Sequence, residues 1–173
     1  MDKYELDGET YFFNNGKWLT SNYMSVPTAV VGKLNKLLTV DTSKKSVHEL
    51  IKLLDGAKQG ENNQYALKIA NGALEIANIS EIRQLLPRVT SLYRKNNQPQ
   101  TAIDIAIEYI NRCGEKVKSA ALYTSLAAAY CDIDNLDLAR KCVNRAMALS
   151  AGNSSAELNN VFMRLRILEG IDE

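Results

Sequence analysis

Glycine and proline are scarce in this chain of 173 residues, which contains nine glycines and three prolines. Both residues favour turns and interrupt helices, so their scarcity argues against a turn-rich sandwich or barrel and favours helices. Hydrophobic residues make up 46% of the chain, which is enough for a core and too much for a disordered protein.

Neither sign of charge is in excess. Lysine and arginine number 21 against 20 acidic residues, giving a formal net charge of +1. A dedicated nucleic-acid binder usually has a clear basic excess, because neutralising phosphates supplies most of its affinity. The composition therefore argues against a dedicated nucleic-acid binder. It is still compatible with a local basic patch.

Long apolar runs are also lacking. A membrane-spanning helix needs about 18–20 consecutive apolar residues, and no stretch of the sequence approaches that length. Asp2, Lys3 and Glu5 place charges where a signal peptide is apolar. We therefore expect a cytoplasmic protein that does not enter the membrane.

Cysteine and histidine are too few, and too far apart, to indicate a chemical site. Cys113, Cys131 and Cys142 form no CxxC pair, so we expect free thiols in a reducing compartment. The single histidine, His48, is not part of a His-Glu-x-x-His motif. We expect no catalytic residues, no metal site and no cofactor, and hence a protein that is not an enzyme.

The first 25 residues predict a small β-hairpin. Strand-forming residues occupy positions 10–13 and 17–20, with Asn14-Asn15-Gly16 between them. An Asn-Gly pair is a strong hairpin signal, since both turn residues accept positive φ. An isolated hairpin is marginally stable in water. Its aromatic residues should therefore pack on the helices or form a contact patch for a partner, including a second copy; they are Tyr11, Phe13 and Trp18.

From residue 26 onward the spacing of apolar residues predicts helices. The first should start near Pro27, and a second should follow N-cap candidates at positions 41–43 and end near Gly56. A third should open at Asn62.

The second half of the chain predicts helices joined by short polar links, which indicate antiparallel neighbours. Ser80 is a candidate cap for the first of them, in which Pro87 either kinks the helix or marks its true start near Leu86. The others are predicted over 99–112, 117–131, 135–149 and 154–169.

Residues 120–153 have the pattern of a helical repeat. Its large and small positions are filled by Tyr123, Leu126, Ala127 and Tyr130 on the first helix, and by Ala139, Val143 and Ala146 on the second. This segment resembles a tetratricopeptide repeat, a helix–turn–helix unit of about 34 residues. Ala151 replaces the proline that usually ends the unit.

Weaker copies of the pattern flank this repeat. Residues 83–116 keep four of the positions, but Ala106 and Tyr109 invert the usual order of bulky and small. Residues 47–80 are fainter, and 154–169 resemble a capping helix. The expected fold is an all-α, right-handed superhelix of tetratricopeptide-like αα-hairpins over 26–173, with the β-hairpin segment at 1–25.

The resemblance implies a protein-interaction module that binds a peptide or partner protein in a concave groove. In that family the first helix of each pair lines the groove. The matching positions here are His48, Asp55, Gln84, Arg88, Ser91, Lys95, Thr124, Ala128, Asp132, Asn159 and Arg166.

One subclass of that family grips the C-terminal carboxylate of heat-shock chaperones through lysine, asparagine and arginine side chains. The matching positions here hold Ile51, Asp55, Arg88, Ala121 and Ser125. Because these residues do not form the clamp, the resemblance argues against a chaperone-tail ligand.

A short basic run offers an alternative function. Arg88 and Lys95 are seven positions apart and share a helix face, with Arg94 at its edge. The face is either an ordinary solvated surface or a patch that binds an acidic peptide, a phosphate or RNA. The second reading makes the chain a regulatory or accessory module that contacts RNA or another polyanion.

Overall fold

The structure, a computed structural model, describes residues 1–14, 16–38, 45–59 and 62–170. These residues form a small antiparallel sheet and eight α-helices. Contacts within the chain divide it into two compact units, unit 1 (Met1–Ile76) and unit 2 (Ala77–Glu173). The cap candidates predicted at 41–43 and the turn residue Asn15 lie outside the described residues.

Unit 1 begins with a three-stranded sheet made of β1 (Asp2–Leu6), β2 (Glu9–Asn14) and β3 (Lys17–Thr20), in that order. The predicted hairpin is the pair β2–β3, in which Phe13 lies opposite Trp18. The strand β1, which was not predicted, pairs antiparallel with β2. Three of its five residues are charged, and such residues are uncommon in strands, so the sequence pattern did not predict it.

Three helices follow in unit 1: α1 (Thr28–Leu37), α2 (Val47–Gln59) and α3 (Asn63–Ile76). Phe13 and Trp18 form one buried cluster with Leu34 and Leu38. The ring of Tyr65 on α3 meets the ring of Phe13 edge-on, with centroids 4.8 Å apart. The sheet thus shares its core with α1 and α3.

A buried amide connects these elements. The side-chain oxygen of Asn35 accepts hydrogen bonds from the indole N–H of Trp18 and the amide of Asn62, each at 2.8 Å. The ammonium of Lys68 donates to the backbone carbonyls of Asn35 and Leu38, at 2.9 and 3.2 Å. These bonds satisfy the buried polar groups and tie α1 to β3 and α3.

Gly56 was predicted to end the second helix, and this prediction is wrong because α2 continues to Gln59. A single interior glycine destabilises a helix by only about 0.5–1 kcal/mol and does not by itself end it. The neighbouring Ala57 is buried and lies against Gly16 of the β2–β3 turn.

Unit 2 consists of α4 (Ile79–Lys95), α5 (Pro99–Cys113), a 3₁₀ turn over Gly114–Val117, α6 (Ala120–Asp132), α7 (Leu136–Leu149) and α8 (Ala156–Leu168). Helix α6 contacts each of the other four helices. The predicted bounds of the helices after residue 98 agree to within three residues. The largest difference is at the start of α6, which was predicted at residue 117: Val117 ends the 3₁₀ turn, and Ser119 is the N-cap of the helix.

The start of α4 corrects two predictions. The cap is Asn78 instead of Ser80: Asn78 and Glu81 form a reciprocal capping box. The alternative start near Leu86 is wrong, because the helix begins at Ile79 and contains Pro87. Proline lacks an N–H, so the carbonyl of Arg83, an exposed residue, has no helical donor four residues on.

Small residues are buried where α6 packs against its neighbours. Ala127, Ala139 and Ala146 are fully buried, and so is Val143. Small side chains allow helix axes to approach closely, and the branched residues fill the space beside them. Within the described part of the chain, no helix combines the length and the apolar character needed to cross a membrane.

Candidate functional site

A cleft of about 500 Å³ opens in unit 2 beside the C-terminal ends of α4 and α6 and the middle of α8. Six of its seven lining residues have polar or charged side chains. The lining residues are Ser91, Arg94, Lys95, Asn97, Pro99, Asp132 and Arg164.

One carboxylate in this cleft is shared by two arginines. The Nε of Arg94 donates to one oxygen of Asp132 at 2.5 Å, and Nη1 of Arg164 donates to the other oxygen at 2.6 Å. The side chains of Arg94 and Asp132 are each 23% exposed. Charge-assisted bonds of this kind fix the planes of the guanidinium groups.

The two arginines keep Asp132 ionised. Burial alone would raise the pKa of this carboxyl, but the hydrogen bonds from Arg94 and Arg164 outweigh burial and hold the pKa below its ordinary value. Asp132 is the last residue of α6, where the helix dipole disfavours a negative charge. The two guanidinium groups offset this unfavourable position.

The cleft carries more positive than negative charge. Lys95 is exposed at the end of α4 and forms no ion pair with the residues that the structure describes. Together with Arg94 and Arg164 it gives three cations against the single carboxylate of Asp132. The lining therefore has a positive excess, although the whole chain has nearly balanced charges.

Three of the groove residues predicted from sequence line this cleft: Ser91, Lys95 and Asp132. Gln84 and Arg88 lie further toward the start of α4, exposed and half-buried respectively.

Two predicted groove positions on α6 offer little surface. Thr124 is 7% exposed and Ala128 is 3% exposed. The hydroxyl of Thr124 donates to the backbone carbonyl of Ala120 at 2.9 Å, so it is already satisfied within its own helix.

The remaining predicted groove residues lie elsewhere. Asn159 is exposed and Arg166 half-buried on α8, outside the lining of the cleft. His48 and Asp55 are exposed on α2, which belongs to unit 1.

Sequence reasoning missed Arg164, Asn97 and Pro99, which also line the cleft. Arg164 stands two positions before Arg166, the residue that the family pattern selects. The available signal was the position of Asp132 at a helix end, where a carboxylate needs a cation from another element. Local spacing does not show which cation that is.

The predicted aromatic contact patch is mostly inside unit 1. Phe13 is 6% exposed and Trp18 is 4% exposed, while Tyr11 is half-buried against the same cluster. These two buried rings therefore stabilise the core of unit 1, and neither is available to a second copy of the chain.

No group of three or more His, Cys, Asp or Glu residues that could hold a metal ion occurs among the residues for which the structure gives positions. Comparisons of the chain with protein-family models, curated proteins and solved structures found no match.

Proposed function

We propose that this chain is a non-catalytic protein–protein interaction module, in which tetratricopeptide-like helix pairs bind a peptide or partner protein in a concave groove. The binding face lies on α4, α6 and α8. The observation that carries the proposal is the cleft of about 500 Å³, which residues of all three helices line.

The packing of α6 supports the choice of these helices. In a tetratricopeptide-like array the first helices of successive pairs contact one another and line the groove. Helix α6 contacts both α4 and α8, and it also packs on α7, the second helix of its own pair. Ala127 and Ala139, at the small positions of the pattern, are both fully buried.

The chemistry of the cleft is suited to binding. Arginine stays protonated at every physiological pH, and the lowered pKa of Asp132 keeps that carboxylate ionised. A general acid or base works best when its pKa lies near the working pH. Groups that stay charged at the working pH can bind a ligand of opposite charge, but they are poorly suited to exchange protons with it.

The alternative, an RNA or polyanion module using Arg88, Arg94 and Lys95, has less support. Arg94 and Lys95 line the cleft but Arg88 does not, whereas a phosphate backbone is bound by cations spread along a track.

Site-specific photo-crosslinking tests the proposed face. A photoreactive amino acid replaces Ser91, which lines the cleft, and in a matched control it replaces Lys141, an exposed residue of α7. In cells that express the chain, we expect one defined protein to crosslink at position 91 and not at 141. Equal crosslinking at both positions, or nucleic acid as the main product at 91, would contradict the proposal.

A further inference from the structure

The cleft of unit 2 also indicates what kind of ligand it binds. Each guanidinium group carries five N–H donors in a rigid fork. Asp132 accepts a single hydrogen bond from each of Arg94 and Arg164. Most of the donors on these two groups are therefore not used by this carboxylate.

Asp132 acts as a brace for the two arginines. A long arginine side chain loses rotamer freedom when it binds a ligand, and this loss weakens binding. The bonds at 2.5 and 2.6 Å already hold both guanidinium groups beside the cleft, so part of that loss is incurred on folding.

The net positive charge of the cleft favours a negatively charged ligand. Arg94, Arg164 and Lys95 leave a positive excess over Asp132 in the lining. The hydroxyl of Ser91 and the side-chain amide of Asn97 supply further hydrogen-bonding groups. We infer that this cleft binds an acidic side chain, aspartate or glutamate, of an extended peptide segment of the partner, with the guanidinium groups of Arg94 and Arg164 as its main contacts. The inference rests on the proposed function.

A discrete carboxylate fits these residues better than a phosphate backbone does. Nucleic-acid binding uses cations spread along a track of phosphates. Here the three cations are gathered in one cleft. A planar guanidinium matches the geometry of a carboxylate directly.

The test is a selection from a random dodecapeptide library displayed without free C-termini, so that only side-chain carboxylates are offered. The baits are the full chain, the Arg94→Gln/Arg164→Gln double variant and Lys141→Gln as a matched surface control. We expect the parent and Lys141→Gln to enrich aspartate and glutamate, and the double variant to lose that enrichment. Circular dichroism establishes that each bait is folded.

Affinities measured by fluorescence anisotropy complete the test. For a selected acidic peptide we expect each single arginine variant to bind about tenfold more weakly. Lys95→Glu, a change at an exposed position, gives a second variant that leaves the ion pairs of Asp132 intact, and it should also weaken binding. The same peptide with its acids changed to amides should lose binding to the parent.

The outcomes separate the inference from the proposed function. Selected peptides without acidic enrichment, or enrichment that persists in the double variant, would overturn the inference and leave the interaction module standing. No selected peptide with the parent would overturn both. Tighter binding of a labelled dodecauridylate than of any peptide, lost in the double variant, would assign the cleft to nucleic acid instead.

Discussion

The indole N–H of Trp18 donates a hydrogen bond to the side-chain oxygen of Asn35 at 2.8 Å, and both side chains are buried. The same oxygen accepts from the amide of Asn62. One polar atom thus satisfies two buried donors that come from a strand and from the start of a helix.

Replacing Asn35 with leucine should strongly destabilise unit 1. The change keeps the size of the side chain but leaves the donors of Trp18 and Asn62 without an acceptor, and each such loss costs about 1–3 kcal/mol. We expect the free energy of unfolding to fall by about 2–6 kcal/mol, measured by urea titration with circular dichroism. Lys36→Ala, an exposed change on the same helix, should alter stability by less than about 0.5 kcal/mol.

Gly16 and Gly8 form a matched pair for a test of close packing. Their φ angles are +82° and +83°, but a Cβ on Gly16 would lie 2.5 Å from the Cα of Ala57, whereas a Cβ on Gly8 has nothing described within 4 Å. Gly8→Ala should cost only about 1–2 kcal/mol through backbone strain. Gly16→Ala should cost about 1–3 kcal/mol more because of the clash. Equal losses in urea titrations would contradict this packing.

Ala127→Leu should overpack the interior of unit 2. Ala127 has no exposed surface on α6, so three extra carbons must displace neighbouring helices, at about 1–3 kcal/mol. Ala121→Leu lies on the exposed side of the same helix and should change stability by less than about 0.5 kcal/mol. Thermal melts of both variants measure the difference. If Ala127→Leu were as stable as the parent, the assigned repeat register would be wrong.

The ion pairs of Asp132 should make the free energy of unfolding depend on pH in the acidic range. The folded pKa of this carboxyl is lowered by Arg94 and Arg164 despite its partial burial, so its contribution to stability is present above the unfolded value near 4 and is lost as the pH falls below it. We expect Asp132→Asn to flatten the decline in unfolding free energy below about pH 4. The exposed Asp134 in the next turn supplies the control: Asp134→Asn should follow the parent's acid profile.

The helices of unit 2 could be predicted because their apolar spacing and their short links are local signals. The start of α4 shows the limit of such signals, since Asn78 and Ser80 are both acceptable caps and only the backbone geometry chooses between them. The strand β1 could not be predicted, because its pairing with β2 is set by tertiary contact and its own residues are largely charged.

The cleft could be predicted in part. Lys95 and Asp132 follow from the repeat pattern, whereas the ion pair between Asp132 and Arg164 joins residues 32 positions apart. Such a pair leaves no periodic trace in the sequence. The burial of Trp18 beside Asn35 likewise depends on residues that are distant in sequence. The sequence alone therefore left two alternatives for this ring, packing on a helix or packing on a partner.

The distribution of Trp18 and the cysteines gives each unit a native reporter. Trp18 is the single tryptophan and lies in the core of unit 1, so intrinsic fluorescence follows that unit. Cys131 and Cys142 are buried in unit 2, where burial raises the pKa of both thiols, that of Cys142 to about 11. Alkylation of these two thiols therefore waits for unit 2 to open, while the partly exposed Cys113 supplies the reference rate. Followed side by side in the unmodified chain, the two signals distinguish a molecule that melts as a whole from one whose halves melt in turn.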